Sequence, residues 1–239
     1  IPFINIPTTL LGMCDASIGG KTGIDHQFLK NIIGTFANPE QIFVFPKFLE
    51  TLPFEELRSG FAEMLKHGLI IDEKHWNDLI SIKNLKPQSV FPFIETSMKI
   101  KQKVVEQDFT EQNIRKTLNF GHTIGHALES LFLLKGKPIM HGEAVALGMI
   151  CETRISMLHG LISEETSNTI ISHLRKFFPD IDTKQFSVEE ILNLMRNDKK
   201  NSHGTINFSL LTGIGNSSYN CSVDAEHINK SLHYYQNLP

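Results

Sequence analysis

Residues 55–71 read Glu-Glu-Leu-Arg-Ser-Gly-Phe-Ala-Glu-Met-Leu-Lys-His-Gly-Leu-Ile-Ile, and their pattern is the clearest indication of the fold class. Its apolar side chains recur every four residues, at Leu57, Phe61, Leu65 and Leu69. That spacing predicts a long helix with one buried stripe. Glu63 and His67 are four residues apart in the same segment, so a helix would place both on one face.

The chain continues in helical patterns after this segment. The sequence predicts further helices over 88–107, 121–134, 142–159, 164–177, 188–197 and Asp224–Tyr235. Gly160 would end the predicted helix 142–159, and Ser187 with Glu190 forms a capping box before the segment 188–197. Between Gly204 and Leu211, apolar residues alternate with polar ones, which predicts a strand.

The first fifty residues differ from the rest. An apolar run closed by Pro7 and the segment 41–46 both predict short buried strands, with a Gly-rich turn between them. We therefore expect a mainly α chain with two parts: residues 1–50, the last strands of an upstream α/β nucleotide-binding domain, and residues 51–239, a helical domain. The chain begins without Met and without a basic segment, so we interpret it as a fragment of a longer protein.

Composition excludes several classes of protein. Of the 239 residues, 41% are hydrophobic and 21% charged, so neither a disordered nor a collagen-like chain fits. The formal net charge of −3 argues against a nucleic-acid binder. No apolar run approaches the roughly 18–20 residues of a membrane span. The three widely spaced cysteines, Cys14, Cys151 and Cys221, cannot build a disulfide framework, so we expect a reducing, cytoplasmic setting.

The Gly-rich turn allows two interpretations. Gly19-Gly20-Lys21-Thr22 is similar to the end of a P-loop, but Asp15 occupies the position where that motif needs its first glycine. We therefore do not expect a P-loop NTPase. The segment is either a tight turn with an exposed lysine, or a turn that brings Asp15 and Lys21 to a ligand.

Several histidines and glutamates could bind a metal. His122 and His126 are separated by one helical turn, a spacing that suits a zinc pair. Thr123 stands where a zincin metalloprotease needs glutamate, which excludes that chemistry. Spacing alone does not choose among the candidates Glu63, His122, His126, His141 and Glu143.

Cationic side chains within the helical segments could bind an anion. Lys66, Lys101, Arg115 and the pair Lys199-Lys200 would each be solvated in the simplest interpretation. As a set in a slightly acidic protein, they could converge on a substrate that carries both phosphate and carboxylate.

Long motifs along the chain resemble the 3-dehydroquinate synthase family. The resemblance extends from residue 1 to about 215 and matches the later two thirds of a family member. The motifs are Pro7-Thr8-Thr9-Leu10-Leu11, Asp15-Ala-Ser-Ile-Gly-Gly-Lys21-Thr-Gly-Ile-Asp25, Lys30-Asn31-Ile-Ile-Gly34, Gly60-Phe-Ala-Glu63-Met-Leu-Lys66-His67, Leu118-Asn119-Phe-Gly-His122-Thr-Ile-Gly-His126-Ala-Leu-Glu129 and His141-Gly-Glu-Ala-Val-Ala-Leu-Gly148.

The resemblance implies an activity and two cofactors. Members of the family convert a seven-carbon 3-deoxy-heptulosonate phosphate to 3-dehydroquinate and phosphate in the shikimate pathway, with NAD and Zn²⁺ or Co²⁺ as cofactors. NAD oxidises a ring hydroxyl and later returns the hydride, so it is not consumed. The full-length protein would be a cytoplasmic homodimer whose partner is the small phosphorylated keto acid, without nucleic acid or membrane.

The resemblance also implies a role for individual residues. The metal ligands would be Glu63, His122 and His141, which moves His126 to the substrate side. The other substrate contacts would be Lys66, Lys101, Arg115, Asn119 and Lys199, with Lys200 as a substitute for Lys199. The cofactor would be contacted by Thr8, Thr9, Asp15, Lys21, Lys30, Asn31 and Thr51.

Three other functions remain open. Another sugar-phosphate cyclase, such as a 2-deoxy-scyllo-inosose or valiolone-type synthase, would share the cofactor and the metal site. A related polyol dehydrogenase would form net NADH with an alcohol. The third possibility is a helical fragment that has a metal site and no catalytic turnover. We expect this state for the chain alone, and we expect it to bind NAD⁺ very weakly.

Overall fold

The computed structural model describes residues 1–26, 29–196 and 206–238, with only the backbone described over 24–26 and 29–33. The helices are α1 (Phe54–Ile71), α2 (Glu73–Ile80), α3 (Pro87–Gln107), α4 (His122–Leu134), α5 (His141–Leu158), α6 (Glu164–Phe177), α7 (Val188–Arg196) and α8 (Ala225–Gln236). The strands are β1 (Ile4–Asn5), β2 (Ile24–His26), β3 (Leu29–Ile33), β4 (Gln41–Ile42), β5 (Ile206–Gly213) and β6 (Asn216–Val223). Short helical turns cover Gly12–Ala16, Pro46–Thr51 and Ile114–Asn119.

Helix α5 forms the centre of the helical body. It packs against α1, α4, α6, α8 and β5, and most of its residues are buried. A helix that is buried on nearly all sides needs small residues where neighbouring backbones approach. A methyl group on Gly148 would lie 1.9 Å from the Gly121 carbonyl oxygen, and one on Gly142 would lie 2.3 Å from Ser59 Cα. These two glycines therefore set the spacing of α5 from α4 and α1.

The strands form three separate two-stranded sheets. β1 pairs with β4 in parallel, with Ile4 opposite Gln41. β2 and β3 form one antiparallel hairpin, and β5 and β6 form another that packs on α5 and α1. The turn Gly12–Ala16 packs against α1 and α3, because Gly60 lets the backbone of Leu11 approach α1 closely. The N-terminal segment is thereby held against the helical body.

The mainly α fold class is confirmed, and the predicted helices agree with the observed ones to within about two residues. Gly160 follows the end of α5 with φ of +70°, and Ser187 and Glu190 form the predicted capping box. The predicted strand over 204–211 is observed from Ile206 onward, since residues 204 and 205 lie outside the described residues. Within the described residues, no helix has the length and apolar character that crossing a membrane requires.

Some local predictions are wrong. The segment 41–46 forms only a two-residue strand, and Phe43 and Phe45 are 53% and 54% exposed. Ile4 in β1 is also exposed, so neither strand is buried as the apolar pattern predicts. The sequence analysis also assigned no role to His75, which is buried and hydrogen-bonds Ser97 Oγ at 2.8 Å. The sequence analysis did not predict α2 and β6.

Candidate metal and substrate site

Three helices bring one carboxylate and two imidazoles together. Glu63 lies in the middle of α1, His122 begins α4 and His141 begins α5. Glu63 Oε1 lies 3.4 Å from His122 Nε2 and 3.5 Å from His141 Nε2. Glu63 is fully buried, and among the described residues neither of its carboxylate oxygens accepts a hydrogen bond of good geometry. Three ligand atoms that face one another in this way fit a metal ion with nitrogen and oxygen ligands.

The other ring nitrogen of each histidine is engaged. His122 Nδ1 donates to the Phe120 carbonyl oxygen at 3.1 Å, and His141 Nδ1 donates to Glu129 Oε2 at 3.2 Å. Since a carbonyl oxygen can only accept, the proton of neutral His122 sits on Nδ1 and leaves a lone pair on Nε2. Metal-binding histidines are typically oriented by such outer partners. The two Nε2 atoms that face Glu63 are therefore the candidate ligand atoms.

His126 lies beside this group. Its ring centroid is 5.0 Å from that of His122 and 5.8 Å from that of His141. Ring nitrogens of the three histidines all lie within 4.8 Å of one another. The short distances from Glu63 are to His122 and His141, and His126 lies next to these two histidines.

The electrostatics of the cluster favour the ligand forms of its residues. Burial, followed by the nearby Lys66 ammonium, lowers the pKa of His122 to about 4 despite the opposing effect of Glu63. Burial alone would raise the pKa of Glu63, but the Lys66 ammonium holds it well below its usual range. Neutral imidazole and ionised carboxylate are the states that bind a divalent metal.

Two buried lysines pair with carboxylates at this site, one on the fully buried Glu63 and one on the partly buried Asp15. Lys66 on α1 forms an ion pair with Glu63 Oε2. Lys101 on α3 lies 2.7 Å from Asp15 Oδ1 and donates to the Asp15 carbonyl oxygen at 2.6 Å. Burial alone would raise the pKa of Asp15, but Lys101 more than offsets this, and the pKa of that carboxyl is lowered. Buried charges need such partners to remain ionised.

A second group that could hold a metal is Asp15, Glu63 and His67, whose ligand atoms lie within 4.8 Å of one another. Its two carboxylates already face Lys101 and Lys66. A divalent cation there would be repelled by both ammonium groups. We therefore assign the candidate metal site to the histidine side of Glu63.

Arg115 connects the Gly-rich turn to this region. Its guanidinium is buried and donates to the Gly19 carbonyl oxygen at 2.9 Å and to the Phe109 carbonyl oxygen at 2.5 Å. Gly19 has φ of +99°, and a methyl group there would lie 2.4 Å from the guanidinium. Only glycine combines this positive φ with enough space for the Arg115 guanidinium. The turn is therefore more than an exposed loop, because it packs on residues of the candidate site.

Glu111 links Lys21 to Asn119, two of the predicted site residues. Lys21 forms an ion pair with Glu111, and Asn119 Nδ2 donates to Glu111 Oε1 at 2.8 Å. Glu111 has φ of +61°, which is uncommon for a residue other than glycine. Such backbone conformations are often found at functional sites. The sequence analysis assigned no role to Glu111.

Asp108 shapes the loop that carries Arg115. Its carboxylate accepts backbone N–H groups of Gln112 at 2.9 Å, Asn113 at 2.7 Å and Arg115 at 3.0 Å. Although burial alone would raise the pKa of Asp108, these three donors lower it. An aspartate directly after a long helix is a signal for such a turn.

Other predicted residues lie elsewhere or make different contacts. Glu143, a candidate ligand from spacing, instead pairs with Arg58 and accepts the Met140 N–H at 3.2 Å. The hydroxyl of Thr9 caps the turn through Gly12 N at 3.0 Å, and that of exposed Thr51 donates to the Phe48 carbonyl oxygen at 3.4 Å. Thr8 is exposed. Four predicted residues have side chains outside the described part of the structure: Lys30, Asn31, Lys199 and Lys200.

Two solved structures with a similar fold are sugar-phosphate cyclases. The chain resembles 2-epi-5-epi-valiolone synthase from Streptomyces hygroscopicus subsp. jinggangensis 5008, solved with NAD⁺ and Zn²⁺ bound, with a TM-score of 0.86 and 26% identity over 98% of this chain and 66% of that one. It also resembles 2-deoxy-scyllo-inosose synthase, solved with carbaglucose-6-phosphate, NAD⁺ and Co²⁺, with a TM-score of 0.81 and 26% identity over 97% of this chain and 66% of that one. These neighbours define the class of protein to which the fold belongs.

Sequence comparisons identify the family within that class. Residues 1–59 match the family model for the N-terminal part of 3-dehydroquinate synthase, and residues 60–201 match the model for its C-terminal part. The chain is 42% identical to the 3-dehydroquinate synthase of Parabacteroides distasonis over 98% of this chain and 67% of the relative. It is 38% identical to the 3-dehydroquinate synthase of Campylobacter concisus over 99% of this chain and 68% of the relative. The chain belongs to the 3-dehydroquinate synthase family and spans about two thirds of the length of these relatives.

Proposed function

We propose that this chain is the metal- and substrate-binding part of a 3-dehydroquinate synthase. The reaction is the conversion of a seven-carbon 3-deoxy-heptulosonate phosphate to 3-dehydroquinate and phosphate, a carbon–oxygen lyase reaction of the shikimate pathway. The observation that carries the proposal is the convergence of Glu63 Oε1 with Nε2 of His122 and of His141, at 3.4 and 3.5 Å. Named relatives at 38–42% identity support this specific activity.

The proposed metal ligands are Glu63, His122 and His141. One carboxylate and two imidazoles leave a coordination position open, as in catalytic zinc sites. Zinc and cobalt both suit these ligands, and the two structural neighbours hold Zn²⁺ and Co²⁺ respectively. A bound metal supplies Lewis acidity that lowers the pKa of a substrate hydroxyl.

The proposed substrate contacts are cations and polar groups around this position. Lys66, Lys101 and Arg115 are buried, and the charge of a buried cation is screened less by solvent than that of a surface cation. A phosphate and a carboxylate on one small molecule would match them. Asn119 and His126 would complete the contacts, with His126 as the hydrogen-bonding or proton-handling group. Lys199, with Lys200 as its substitute, stays a prediction outside the described residues.

The N-terminal segment is proposed to face NAD, which when bound accepts a hydride from the substrate and returns it. We propose residues 1–50 as the remnant of the nucleotide-binding domain and residues 51–239 as the helical domain. Asp15 and Lys21 would lie at the junction of cofactor and substrate, since Asp15 pairs with Lys101 and Lys21 with Glu111. The remaining proposed cofactor contacts are Thr8, Thr9, Lys30, Asn31 and Thr51.

The cellular setting and the assembly are also proposals. The three cysteines, Cys14, Cys151 and Cys221, are all free, which supports a reducing cytoplasm. We propose a homodimer for the full-length protein. This chain alone is expected to be inactive and to bind NAD⁺ very weakly. An NAD⁺ titration by calorimetry tests this expectation, and binding in the micromolar range would contradict it.

Metal content and position test the proposed function directly. Elemental analysis should give one zinc per chain, and anomalous scattering at the zinc edge should place it about 2.0–2.2 Å from its ligand atoms on Glu63, His122 and His141. Glu63→Gln should abolish this binding. The control is Glu143→Gln, which changes a nearby carboxylate engaged with Arg58 and should retain the metal. Zinc retained by E63Q and lost by E143Q would refute the ligand assignment.

A second candidate is another sugar-phosphate cyclase, which the two structural neighbours favour. The two activities differ in the substrate carboxylate, which 3-dehydroquinate synthase must bind. In the full-length parent protein, phosphate release should require the keto-acid phosphate and fail with a seven-carbon sugar phosphate that lacks the carboxylate. The opposite preference would establish the second candidate. Net NADH formation with an alcohol would instead indicate a polyol dehydrogenase.

A further inference from the structure

The N-terminus of α4 has no cap of its own. Gly121 occupies the capping position with φ of +80°, and it has no side chain that could accept a hydrogen bond. The first N–H groups of a helix lack partners within the helix and need an acceptor, particularly where the end is buried. This end is buried and carries His122 as its first helical residue. The acceptor must therefore come from another part of the chain.

Glu152 on α5 provides that acceptor. Its side chain is fully buried, with Oε2 2.6 Å from Gly121 N and Oε1 3.1 Å from Ile124 N. One carboxylate thus accepts two of the N–H groups at the start of α4. A negative charge at a helix N-terminus is also favoured by the helix dipole. The interaction joins residues that are 31 and 28 positions apart in the sequence.

This contact fixes α4 relative to α5, and each of these helices carries one proposed metal ligand. The two hydrogen bonds bracket His122, since one donor precedes it and the other follows it by two residues. His141 lies on the same helix as Glu152. A change in the contact would therefore move His122 relative to both His141 and Glu63. Metal binding tolerates such movement poorly, because ligand distances must hold within about 0.2 Å.

We propose that Glu152 is a positioning residue for the metal site, which acts by capping α4 from α5 and thereby holding His122 in place. This inference rests on the proposed metal site. The Glu152 carboxylate accepts hydrogen bonds from the backbone at residues 121 and 124, and its proposed effect on His122 passes through that backbone. The proposal predicts a loss of metal affinity that exceeds what a general loss of stability would cause.

The test compares Glu152→Gln with Ser156→Ala in the full chain. The glutamine keeps the shape but places an NH₂ group against one of the two N–H donors. Ser156 lies one turn further along α5, is fully buried, and accepts Leu211 N at 3.0 Å on the side of β5. Its hydroxyl also donates to the Glu152 carbonyl oxygen at 2.8 Å. Ser156→Ala therefore removes two buried hydrogen bonds of α5 and leaves both hydrogen bonds from the Glu152 carboxylate to α4 in place. Zinc affinity is measured by competition with a chromogenic chelator, and stability by urea unfolding of the metal-free proteins.

We expect E152Q to bind zinc at least about tenfold more weakly than wild type, within the range reported for residues that support metal ligands. S156A should bind zinc within about twofold of wild type at comparable stability. Glu152→Asp, which keeps the charge on a shorter side chain, should recover part of the affinity. If E152Q is too unstable to purify, the zinc affinities of E152D and S156A are compared instead. Weaker zinc binding than in wild type is then expected only for E152D.

Equal zinc affinity in E152Q and wild type would overturn the inference, and so would equal losses in E152Q and S156A. Failure of the proposed function has a different signature, because wild-type protein would then bind no stoichiometric zinc. The two outcomes are distinguishable without an activity assay.

Discussion

Replacing Gly148 with alanine tests the packing that brings the metal ligands together. In an ordinary helix this substitution is stabilising, by about 0.5–1 kcal/mol, because glycine is the weaker helix former. Here the new Cβ would lie 1.9 Å from the Gly121 carbonyl oxygen and 2.8 Å from Gly125 N. All of these neighbours are backbone atoms of α4 and the residue before it, so no side chain can rotate away.

The size of the effect follows from these distances. The contact must open from 1.9 Å to at least 3.0 Å, a displacement of about 1.1 Å. Overpacking of this kind costs about 1–3 kcal/mol or more. At roughly 2–4 °C per kcal/mol for a chain of this length, the Tm should fall by several degrees. The displacement is also about five times the tolerance of a metal–ligand distance, so zinc affinity should fall strongly.

Thermal unfolding by circular dichroism and zinc competition with a chromogenic chelator measure both effects. The matched control is Gly213→Ala at the end of β5, where the nearest atom to a new Cβ is Asn216 Nδ2 at 4.0 Å. The free energy of unfolding of that control should lie within about 0.5 kcal/mol of the wild-type value. If G148A matches G213A in both Tm and zinc affinity, the close contact between α4 and α5 does not exist as described.

Three further predictions concern charge and metal. Asp108→Asn should destabilise the chain by about 1–3 kcal/mol, measured by urea unfolding, because the amide cannot accept all three backbone N–H groups. Because the pKa of Asp108 is lowered in the folded state, its stabilisation is fully present above the ordinary aspartate value and is lost as the pH falls through the lowered value. The stability gap between wild type and D108N should therefore shrink in acid, and a constant gap would contradict this account. Lys101→Met should lower the free energy of unfolding by at most about 3–5 kcal/mol, because the Asp15 carboxylate loses its buried partner. Thermal unfolding of the double variant with Asp15→Asn should show that much of this stability is restored. Removal of metal with EDTA should lower the Tm of wild type and leave that of E63Q unchanged, because a metal that binds only the folded state stabilises it by mass action.

Much of the helical architecture follows from local sequence. The four-residue spacing of apolar side chains in α1 predicts both the helix and its buried face, and Glu63 falls within that face. Helices α5 and α6 likewise have long apolar patterns with recognisable ends. Helix α2 was missed because it is only eight residues long and is largely polar. Strand β6 was missed because its polar sequence is stabilised by pairing with β5, an interaction that a local pattern does not reveal.

For the candidate site as well, some features follow from the sequence and others depend on the packing of the helices. The sequence determined which residue types are present, and the motifs matched a family whose membership the comparisons establish. It could not choose the metal ligands from spacing alone, and it left Glu143 among them. Only the tertiary structure shows that Glu143 faces Arg58, that the Nδ1 atoms of His122 and His141 are engaged, and that Glu152 caps α4 from another helix. The physical reason is that the orientation of a side chain depends on partners that are distant in the chain, and those partners become neighbours only when the helices pack.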